Sequence, residues 1–244
     1  MAPFFTVEGG HKLRGTVRPA GNKNAALPIL AGTLLADGPV VLHNVPKIRD
    51  VETLIELLQS QGAKVAWTSE HTVAVDARGV RPADPDPALC QKIRASILLA
   101  GPMLGRFGRV SLPPPGGDVI GRRRVDTHLL ALEQLGARIE VGATYDFAAT
   151  RLTGADIFLD EASVTGTENA LMAAVKARGT TVLRNAASEP HVQDLAHFLN
   201  GLGAHIEGIG TNTLTIEVGR PLGGGTFTIL TDHIEFASFI GLAA

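Results

Sequence analysis

The stretch Gly38-Pro-Val-Val-Leu42 is a glycine followed by a short apolar segment, and this pattern indicates the fold because it occurs three times along the chain. Its other copies are Gly108-Arg-Val-Ser-Leu112 and Gly179-Thr-Thr-Val-Leu183, spaced by about 70 residues. In each copy the glycine is typical of a turn, and the apolar residues after it are typical of a buried strand. Recurrence at a nearly constant spacing indicates a fold assembled from equivalent units.

A helix is predicted on each side of every copy. The helices before the glycines cover residues 23–37, 93–107 and 167–178. In the helices after the strands, mostly apolar residues recur at relative positions 0, 3, 4 and 7, which is the spacing of one helix face. The three sets are Val51/Leu54/Ile55/Leu58, Val125/His128/Leu129/Leu132 and Val192/Leu195/Ala196/Leu199. Each of these helices ends at a Gly-Ala pair, where glycine suits a left-handed C-cap, and a strand is expected next. The three glycines are Gly62, Gly136 and Gly203, and the strands begin at Lys64, Arg138 and His205.

The chain is therefore predicted to be an α/β protein with one complete three-unit domain at residues 21–228. One such unit could not bury its helices alone, so the three are expected to share a core. Residues 229–244 resemble the start of a fourth unit, and the sequence stops inside its first helix. We expect the sequence to be truncated.

Composition excludes several classes of protein. A net charge of −2 over 244 residues gives no reason to expect nucleic acid or an anionic membrane as a partner, and one cysteine excludes a disulfide framework and multi-cysteine zinc sites. The N-terminus lacks the pattern of a secretory signal, and the apolar runs are shorter than the roughly 20 residues of a membrane span. The phosphate-loop, dinucleotide, zinc-hydrolase and serine-hydrolase motifs are absent. We expect a soluble, cytoplasmic protein without a cofactor or metal.

The second copy differs from the others in one loop. The distance from its glycine to the valine of its second helix is longer by four residues, which fall within Pro113-Pro-Pro-Gly-Gly-Asp-Val-Ile-Gly-Arg-Arg-Arg124. Such an insertion is either a solvated surface loop or a functional loop, because loops on rigid scaffolds often carry function. The same copy has His128 where its sister helices carry Leu54 and Leu195. A histidine on an apolar face is either a satisfied core residue or a ligand.

Cations lie at the starts of two of the first helices. We counted back 14 and 15 residues from each of the repeated glycines Gly38, Gly108 and Gly179. The pairs at these positions are Asn24 and Lys23, Arg94 and Ile93, and Thr165 and Val164. A cation opposes the dipole at a helix start, so structure alone would not favour it there. Together with Arg122–Arg124, these residues are either ordinary solvated charge or a site for an anionic, phosphorylated ligand.

Three stretches resemble the UDP-N-acetylglucosamine 1-carboxyvinyltransferase family: Ala20-Gly-Asn-Lys-Asn-Ala-Ala-Leu-Pro28, Ile93-Arg-Ala-Ser96 and Pro115-Gly-Gly-Asp-Val-Ile-Gly-Arg-Arg-Arg-Val-Asp-Thr-His128. The resemblance covers the whole chain and about the first 60% of a family member. It implies two inside-out α/β barrels of three repeats each, the enolpyruvyl transferase fold, with the substrates between them. Residues 1–20 are then expected to belong to the other domain, which the chain lacks.

The resemblance implies transfer of enolpyruvyl from phosphoenolpyruvate to the 3′-hydroxyl of UDP-N-acetylglucosamine, with release of phosphate. Both substrates are anions, which gives the cations an electrostatic role. By motif position, Lys23 and Asn24 are expected on the phosphoenolpyruvate side, with Arg94 and Arg123 as further cationic contacts. The uridine-binding stretch corresponds to Arg123, Arg124, Val125, Asp126 and Thr127, and the diphosphate-side stretch to Glu161, Ala162, Ser163 and Val164. Glu161 departs from the expected chemistry, since a carboxylate repels a diphosphate unless it points away.

Asp118 is the other departure, because family members most often carry cysteine there, the residue that fosfomycin alkylates. The resemblance implies that Asp118 donates a proton to the enolpyruvyl methylene carbon and that Lys23 and Arg123 assist catalysis. A carboxylate opens an epoxide less readily than a thiolate, so resistance to fosfomycin is predicted. The general base and further arginines are expected beyond residue 244, so this chain alone should be inactive.

Two alternatives stay open. A 5-enolpyruvylshikimate-3-phosphate synthase shares the fold and the donor, but its Leu-Gly-Asn-Ala-Gly-Thr run is absent here. The other alternative is a non-catalytic half-protein that binds a sugar nucleotide.

Overall fold

The computed structural model describes residues 4–117, 124–217 and 221–244. The described chain forms eight α-helices: α1 (Lys23–Gly32), α2 (Arg49–Ser60), α3 (Pro87–Cys90), α4 (Ala100–Phe107), α5 (Asp126–Gln134), α6 (Val164–Ala174), α7 (Pro190–Leu202) and α8 (His233–Ala243). Two 3₁₀ helices cover Thr33–Leu35 and Arg94–Leu99. Among these described residues, no helix has the length and apolar character that crossing a membrane requires.

The strands form three sheets. The described strands are β1 (Val40–His43), β2 (Lys64–Ser69), β3 (Thr72–Asp76), β4 (Arg109–Leu112), β5 (Arg138–Val141), β6 (Tyr145–Ala148), β7 (Asp156–Phe158), β8 (Thr181–Arg184), β9 (His205–Glu207), β10 (Thr213–Glu217) and β11 (Gly225–Thr228). Their orders are β11-β1-β3-β2, β4-β6-β5 and β7-β8-β10-β9. Only the β1–β11 and β7–β8 pairs are parallel among the described ladders.

The predicted strands and C-caps are confirmed. Strands β1, β4 and β8 follow the three repeated glycines, and β2, β5 and β9 begin at Lys64, Arg138 and His205. The glycines of the Gly-Ala pairs have φ values of 103°, 97° and 120° at Gly62, Gly136 and Gly203. Because side chains avoid this region of backbone conformation, glycine ends each of these helices and lets the next strand start at once.

The most deeply buried elements are the helices that precede the repeated strands. Nearly every residue of α1 and of α6 is buried, and α6 packs against both α4 and α5. The sheets bury one face only, as the alternating burial along β1, β3 and β10 shows. The core is therefore centred on helices, and the sheets present their other face outward.

The predicted bounds of the helices before the glycines are partly wrong. The first α-helix ends at Gly32 rather than residue 37, and a 3₁₀ helix covers Thr33–Leu35. Residues 93–107 do not form one α-helix but a 3₁₀ helix followed by α4. Pro102 explains this break, because it has no N–H to donate to the carbonyl four residues earlier and its ring crowds that carbonyl. The third of these helices covers Val164–Ala174 rather than residues 167–178. It begins earlier because the Ser163 side chain caps it by accepting from the Gly166 amide.

Candidate active site

The predicted helix starts converge on one pocket of about 730 Å³. The residues that stand 14 and 15 positions before the repeated glycines all line this pocket, namely Lys23, Asn24, Ile93, Arg94, Val164 and Thr165. Helix N-termini present free backbone amides and the positive end of the helix dipole. The pocket is thus formed by helix starts and cations from parts of the chain that are about 70 residues apart.

A second set of equivalent residues completes the wall. Asp50, Arg124 and His191 each stand directly before the valine that opens a second helix, and all three line the pocket. We did not predict Asp50 or His191 from the sequence. The signal was available, because the alignment that placed Val51, Val125 and Val192 in register also places the residues before them in register.

Lys23 is held at the pocket by a weak ion pair. Asn22 caps α1 by accepting from the Ala25 amide at 2.9 Å, which fixes the start of the helix. The Lys23 ammonium lies 3.0 Å from an Asp50 carboxylate oxygen, and the two side chains are 44% and 40% exposed. A pair this exposed contributes only about 0–1 kcal/mol, so an anionic ligand can compete for the ammonium.

Arg94 and Arg124 join the second helix start to the long loop. Arg94 Nη2 donates to the backbone oxygen of Arg124 at 2.9 Å. Arg124 forms an ion pair with Asp126, which raises the pKa of its guanidinium. At the other end of the loop, a Cβ on Gly117 would lie only 3.1 Å from the Arg94 amide nitrogen, so glycine permits the loop to approach this helix start closely.

The α6 terminus has the chemistry of an anion site. Ser163 Oγ accepts from the Gly166 amide at 3.2 Å, which leaves its own hydroxyl hydrogen available. The amides of Val164 and Thr165 have no acceptor within the helix by its geometry. Glu161 is exposed and lines the same pocket, so its carboxylate adds negative charge near this terminus.

The residues that follow Arg124 in the predicted uridine stretch do not line the pocket. Arg124 lines the pocket, whereas Val125, Asp126 and Thr127 do not. Val125 is buried, and Thr127 Oγ1 donates to an Asp160 oxygen at 2.7 Å. Ala162, Ser163 and Val164 of the diphosphate stretch do line the pocket. The predicted residues Asp118 and Arg123 lie outside the described residues.

His128 is a buried core residue with satisfied ring nitrogens. Its Nε2 lies 3.0 Å from Thr165 Oγ1, and Asn169 Nδ2 donates to its Nδ1 at 2.8 Å. Burial, with a smaller effect of the Arg94 charge, lowers its pKa to about 4, so the imidazole is neutral near pH 7. Cys90 is likewise a packed thiol, whose pKa burial raises to about 11.

Glu168 is a pocket residue that sequence reasoning missed. It is 1% exposed, and its Oε1 has no hydrogen-bond partner within the described residues. Burial, reinforced by the Glu189 carboxylate, raises its pKa well above the ordinary value. The repeat nevertheless indicates that Glu168 lies at the pocket. It stands eleven residues before Gly179, as the pocket residue Leu27 stands eleven residues before Gly38.

The described residues contain no group of three or more histidine, cysteine or carboxylate side chains that could hold a metal ion.

Known proteins share both the sequence and the fold. UDP-N-acetylglucosamine 1-carboxyvinyltransferase of Bradyrhizobium diazoefficiens is 63% identical over 245 residues, covering 100% of this chain and 57% of that protein. The enzyme of the same name from Treponema denticola is 50% identical, covering 98% of this chain and 56% of that protein. The chain thus spans just over half the length of these curated relatives. The resemblance seen in the sequence is confirmed.

Solved structures of enolpyruvyl transferases share the fold. The enolpyruvyl transferase NikO from Streptomyces tendae matches with a TM-score of 0.83 and 26% identity, over 95% of this chain and 55% of that one. An EPSP synthase from Acinetobacter baumannii matches with a TM-score of 0.73 over 92% of this chain and 51% of that one, and at 19% identity it shows the fold alone. A family model described as EPSP synthase (3-phosphoshikimate 1-carboxyvinyltransferase) matches residues 7–244, and the chain belongs to this family.

Proposed function

We propose that the chain is the N-terminal part of a UDP-N-acetylglucosamine 1-carboxyvinyltransferase, which serves peptidoglycan precursor synthesis in the cytoplasm. The observation that carries this proposal is the single pocket in which Lys23, Arg94 and Arg124 meet the α6 terminus. Such a pocket suits two substrates that both carry phosphate groups. The identity of 63% to an enzyme of that name favours this acceptor.

The reaction would proceed by addition and elimination. The 3′-hydroxyl group of the sugar loses its proton and its oxygen adds to C2 of phosphoenolpyruvate while C3 takes a proton. Loss of phosphate from C2 together with a proton from C3 then restores the double bond. Asp118 is the proposed donor of the proton to C3. Lys23 and Asn24 would hold the phosphoenolpyruvate anion, and Arg94 and Arg123 would stabilise the charge that develops as phosphate departs.

The α6 terminus would bind the diphosphate of the sugar nucleotide. Its support is the free hydroxyl hydrogen of Ser163 beside the first two amides of the helix. Arg124, which lines the pocket, would provide the cationic contact of the uridine-binding stretch, and Val125, Asp126 and Thr127 would complete that stretch. Glu161 and Ala162 would lie at the edge of this subsite, and the approach of Arg124 would offset the Glu161 charge.

We infer that residues 21–228 form one inside-out barrel of three repeats and that residues 1–20 and 229–244 belong to a second domain. Two contacts support this division. Asp232 donates its amide to the Ala20 carbonyl at 2.8 Å, and Ala20 donates to a Glu235 oxygen at 2.7 Å. The two segments therefore leave the pocket-bearing domain side by side, as two connections to one partner domain would.

The test is phosphate release by the polypeptide extended to its natural stop codon. We expect release from phosphoenolpyruvate that depends on UDP-N-acetylglucosamine and not on shikimate 3-phosphate. Release with shikimate 3-phosphate instead would establish the second family activity. Release with neither acceptor would favour a half-protein that only binds.

A matched pair of variants tests whether this pocket is the site. Lys23→Gln is expected to lower the turnover by about 100-fold or more, because it removes a cation that stabilises the transition state. Lys64→Gln, on a strand outside this pocket, is the control and should leave turnover unchanged. Equal turnover by the two variants would place the chemistry elsewhere.

A further inference from the structure

A buried histidine contacts a hydroxyl group of the pocket wall. Thr165, in the first turn of α6, lines the pocket, and its Oγ1 lies 3.0 Å from Nε2 of His128. His128 is 1% exposed and itself lies outside the pocket lining. The contact thus links a core residue of α5 to the terminus at which a phosphate group is proposed to bind.

The neighbouring asparagine determines which histidine nitrogen carries the proton. Gly101 donates its amide to Asn169 Oδ1 at 2.8 Å, and Asn169 Nδ2 donates to the Ile97 carbonyl at 2.8 Å. These two bonds fix the orientation of the side-chain amide. The amide nitrogen therefore faces His128 Nδ1, which lies 2.8 Å away and has to accept.

An acceptor at Nδ1 places the proton of the neutral ring on Nε2. Nε2 then donates to Thr165 Oγ1, which becomes an acceptor in this bond. The hydroxyl hydrogen of Thr165 is consequently left for another partner. A threonine in a helix often donates to the carbonyl four residues earlier, here that of Glu161. Within the described residues Thr165 makes no such bond, so the pocket is where its hydroxyl can donate.

We propose that His128, oriented by Asn169, is a positioning residue that makes the Thr165 hydroxyl a hydrogen-bond donor to a phosphate oxygen of the sugar nucleotide. This inference rests on the proposed function and deepens it, since residues 161–164 and 123–127 were the nucleotide contacts expected from the resemblance. Thr165 adds a side-chain donor to the amides of the α6 terminus. The low pKa of His128 keeps the ring neutral, so this arrangement persists at physiological pH.

Four variants of the full-length enzyme test the proposal. Thr165→Val removes the hydroxyl at similar shape, whereas Thr165→Ser retains it. His128→Leu installs the residue that Leu54 and Leu195 provide in the sister helices, whereas His128→Gln offers an amide nitrogen near the Nε2 position. Calorimetric titration would give the Kd for UDP-N-acetylglucosamine, and steady-state kinetics would give kcat and the KM for each substrate.

We expect Thr165→Val and His128→Leu each to raise the Kd for the sugar nucleotide by about tenfold, the effect of losing one hydrogen bond to a charged group. The KM for phosphoenolpyruvate and kcat should change little. Thr165→Ser and His128→Gln should bind nearly as the parent does. The double variant Thr165→Val/His128→Leu should be no weaker than Thr165→Val alone, because both changes remove the same donor.

Several results would overturn the proposal. Unchanged binding by Thr165→Val would exclude the hydroxyl as a donor, and additive losses in the double variant would show that His128 acts by another route. A long-range ¹H–¹⁵N spectrum that places the His128 proton on Nδ1 would also overturn it, whatever the ligand. Failure of the parent enzyme to bind UDP-N-acetylglucosamine would instead refute the proposed function, and the tautomer would still test the His128 arrangement.

Discussion

Glu168 is a carboxyl group buried in the wall of the pocket that is proposed to bind anionic substrates. Ionisation there would place negative charge on a buried carboxyl group whose Oε1 has no hydrogen-bond partner within the described residues, which is costly. The folded protein therefore keeps the carboxyl protonated at pH values at which the unfolded chain has released the proton. A neutral Glu168 also repels no bound phosphate.

We predict that Glu168→Gln changes the pH dependence of stability. Since the folded-state pKa is raised above 4.5, the folded protein binds more protons than the unfolded chain at pH values above 4.5 and up to the raised pKa. The free energy of unfolding therefore falls as pH rises through this window, by at most about 1.4 kcal/mol per pH unit. Glu168→Gln should remove that slope and be more stable than the parent at pH 8.

Urea unfolding between pH 5 and pH 8 measures this difference. Glu133→Gln, on an exposed position of α5, is the control and should keep the slope of the parent. Identical slopes for the parent and Glu168→Gln would show that Glu168 ionises freely in the fold.

We predict that fosfomycin does not inactivate the full-length enzyme, because Asp118 offers a carboxylate where irreversible epoxide opening needs a thiolate. Asp118→Cys should become susceptible, with inactivation that increases over minutes of preincubation. The measurement is residual phosphate release after preincubation. Time-dependent inactivation of the parent that disappears in Asp118→Asn would contradict the prediction.

The residues found from the sequence are those whose type contradicts their local structure. Lys23 and Arg94 stand at helix starts where a cation is unfavourable, and such a conflict indicates a ligand. Asp50 was missed because an acidic residue suits the first turn of α2. His191 and Glu168 do not conflict with their local structure, so only their equivalence to pocket positions of the sister repeats points to them.

At the level of elements, α4 and α6 pack closely at Gly101. The Gly101 amide donates to the Asn169 side chain, and a Cβ at Gly101 would fall on the Asn169 backbone carbonyl. Neither backbone can move without disturbing the two hydrogen bonds that orient Asn169. This contact also joins the second and third repeated stretches beside the pocket.

We predict that Gly101→Ala lowers the free energy of unfolding by about 2 kcal/mol or more, because the added methyl group overpacks two helix backbones. Gly201→Ala is the matched control, since no heavy atom lies within 4 Å of a Cβ built there in α7. Its higher helix propensity should stabilise the protein by up to about 1 kcal/mol. Denaturant unfolding measures both changes, and a Gly101→Ala protein as stable as the parent would be inconsistent with this close packing.

Elements were predictable from sequence wherever one residue determines them. The glycines at the helix ends and the apolar alternation of the strands fixed the order of helices and strands along the chain. Strand partners were not predictable, because alternation shows which face of a strand is buried and not which strand lies beside it. The parallel pairing of β1 with β11, which joins Val40 to Gly225, is set by the packing of the whole domain.

At the level of the whole molecule, the first residues and the last helix share an unusual exposure. None of the residues of α8 is buried, and its Ile234, Phe236, Ile240 and Leu242 are more than half exposed. The start of α8 nevertheless touches the pocket wall, because His233 stacks on His191 with ring centroids 5.9 Å apart. If α8 belongs to the proposed second domain, that domain would thus be coupled directly to the pocket.

We predict that the 244-residue chain binds its substrates weakly and turns over nothing, whereas the full-length polypeptide is active. The general base and the further arginines are expected in the second domain, so the chain alone can neither deprotonate the 3′-hydroxyl nor enclose phosphoenolpyruvate away from water. The pocket described above would still provide the cations and the α6 terminus, so residual binding of UDP-N-acetylglucosamine should be detectable by calorimetry. Phosphate release measured side by side for the two polypeptides decides the matter. Steady release by the 244-residue chain, abolished by Lys23→Gln, would mean that this pocket contains the whole catalytic apparatus.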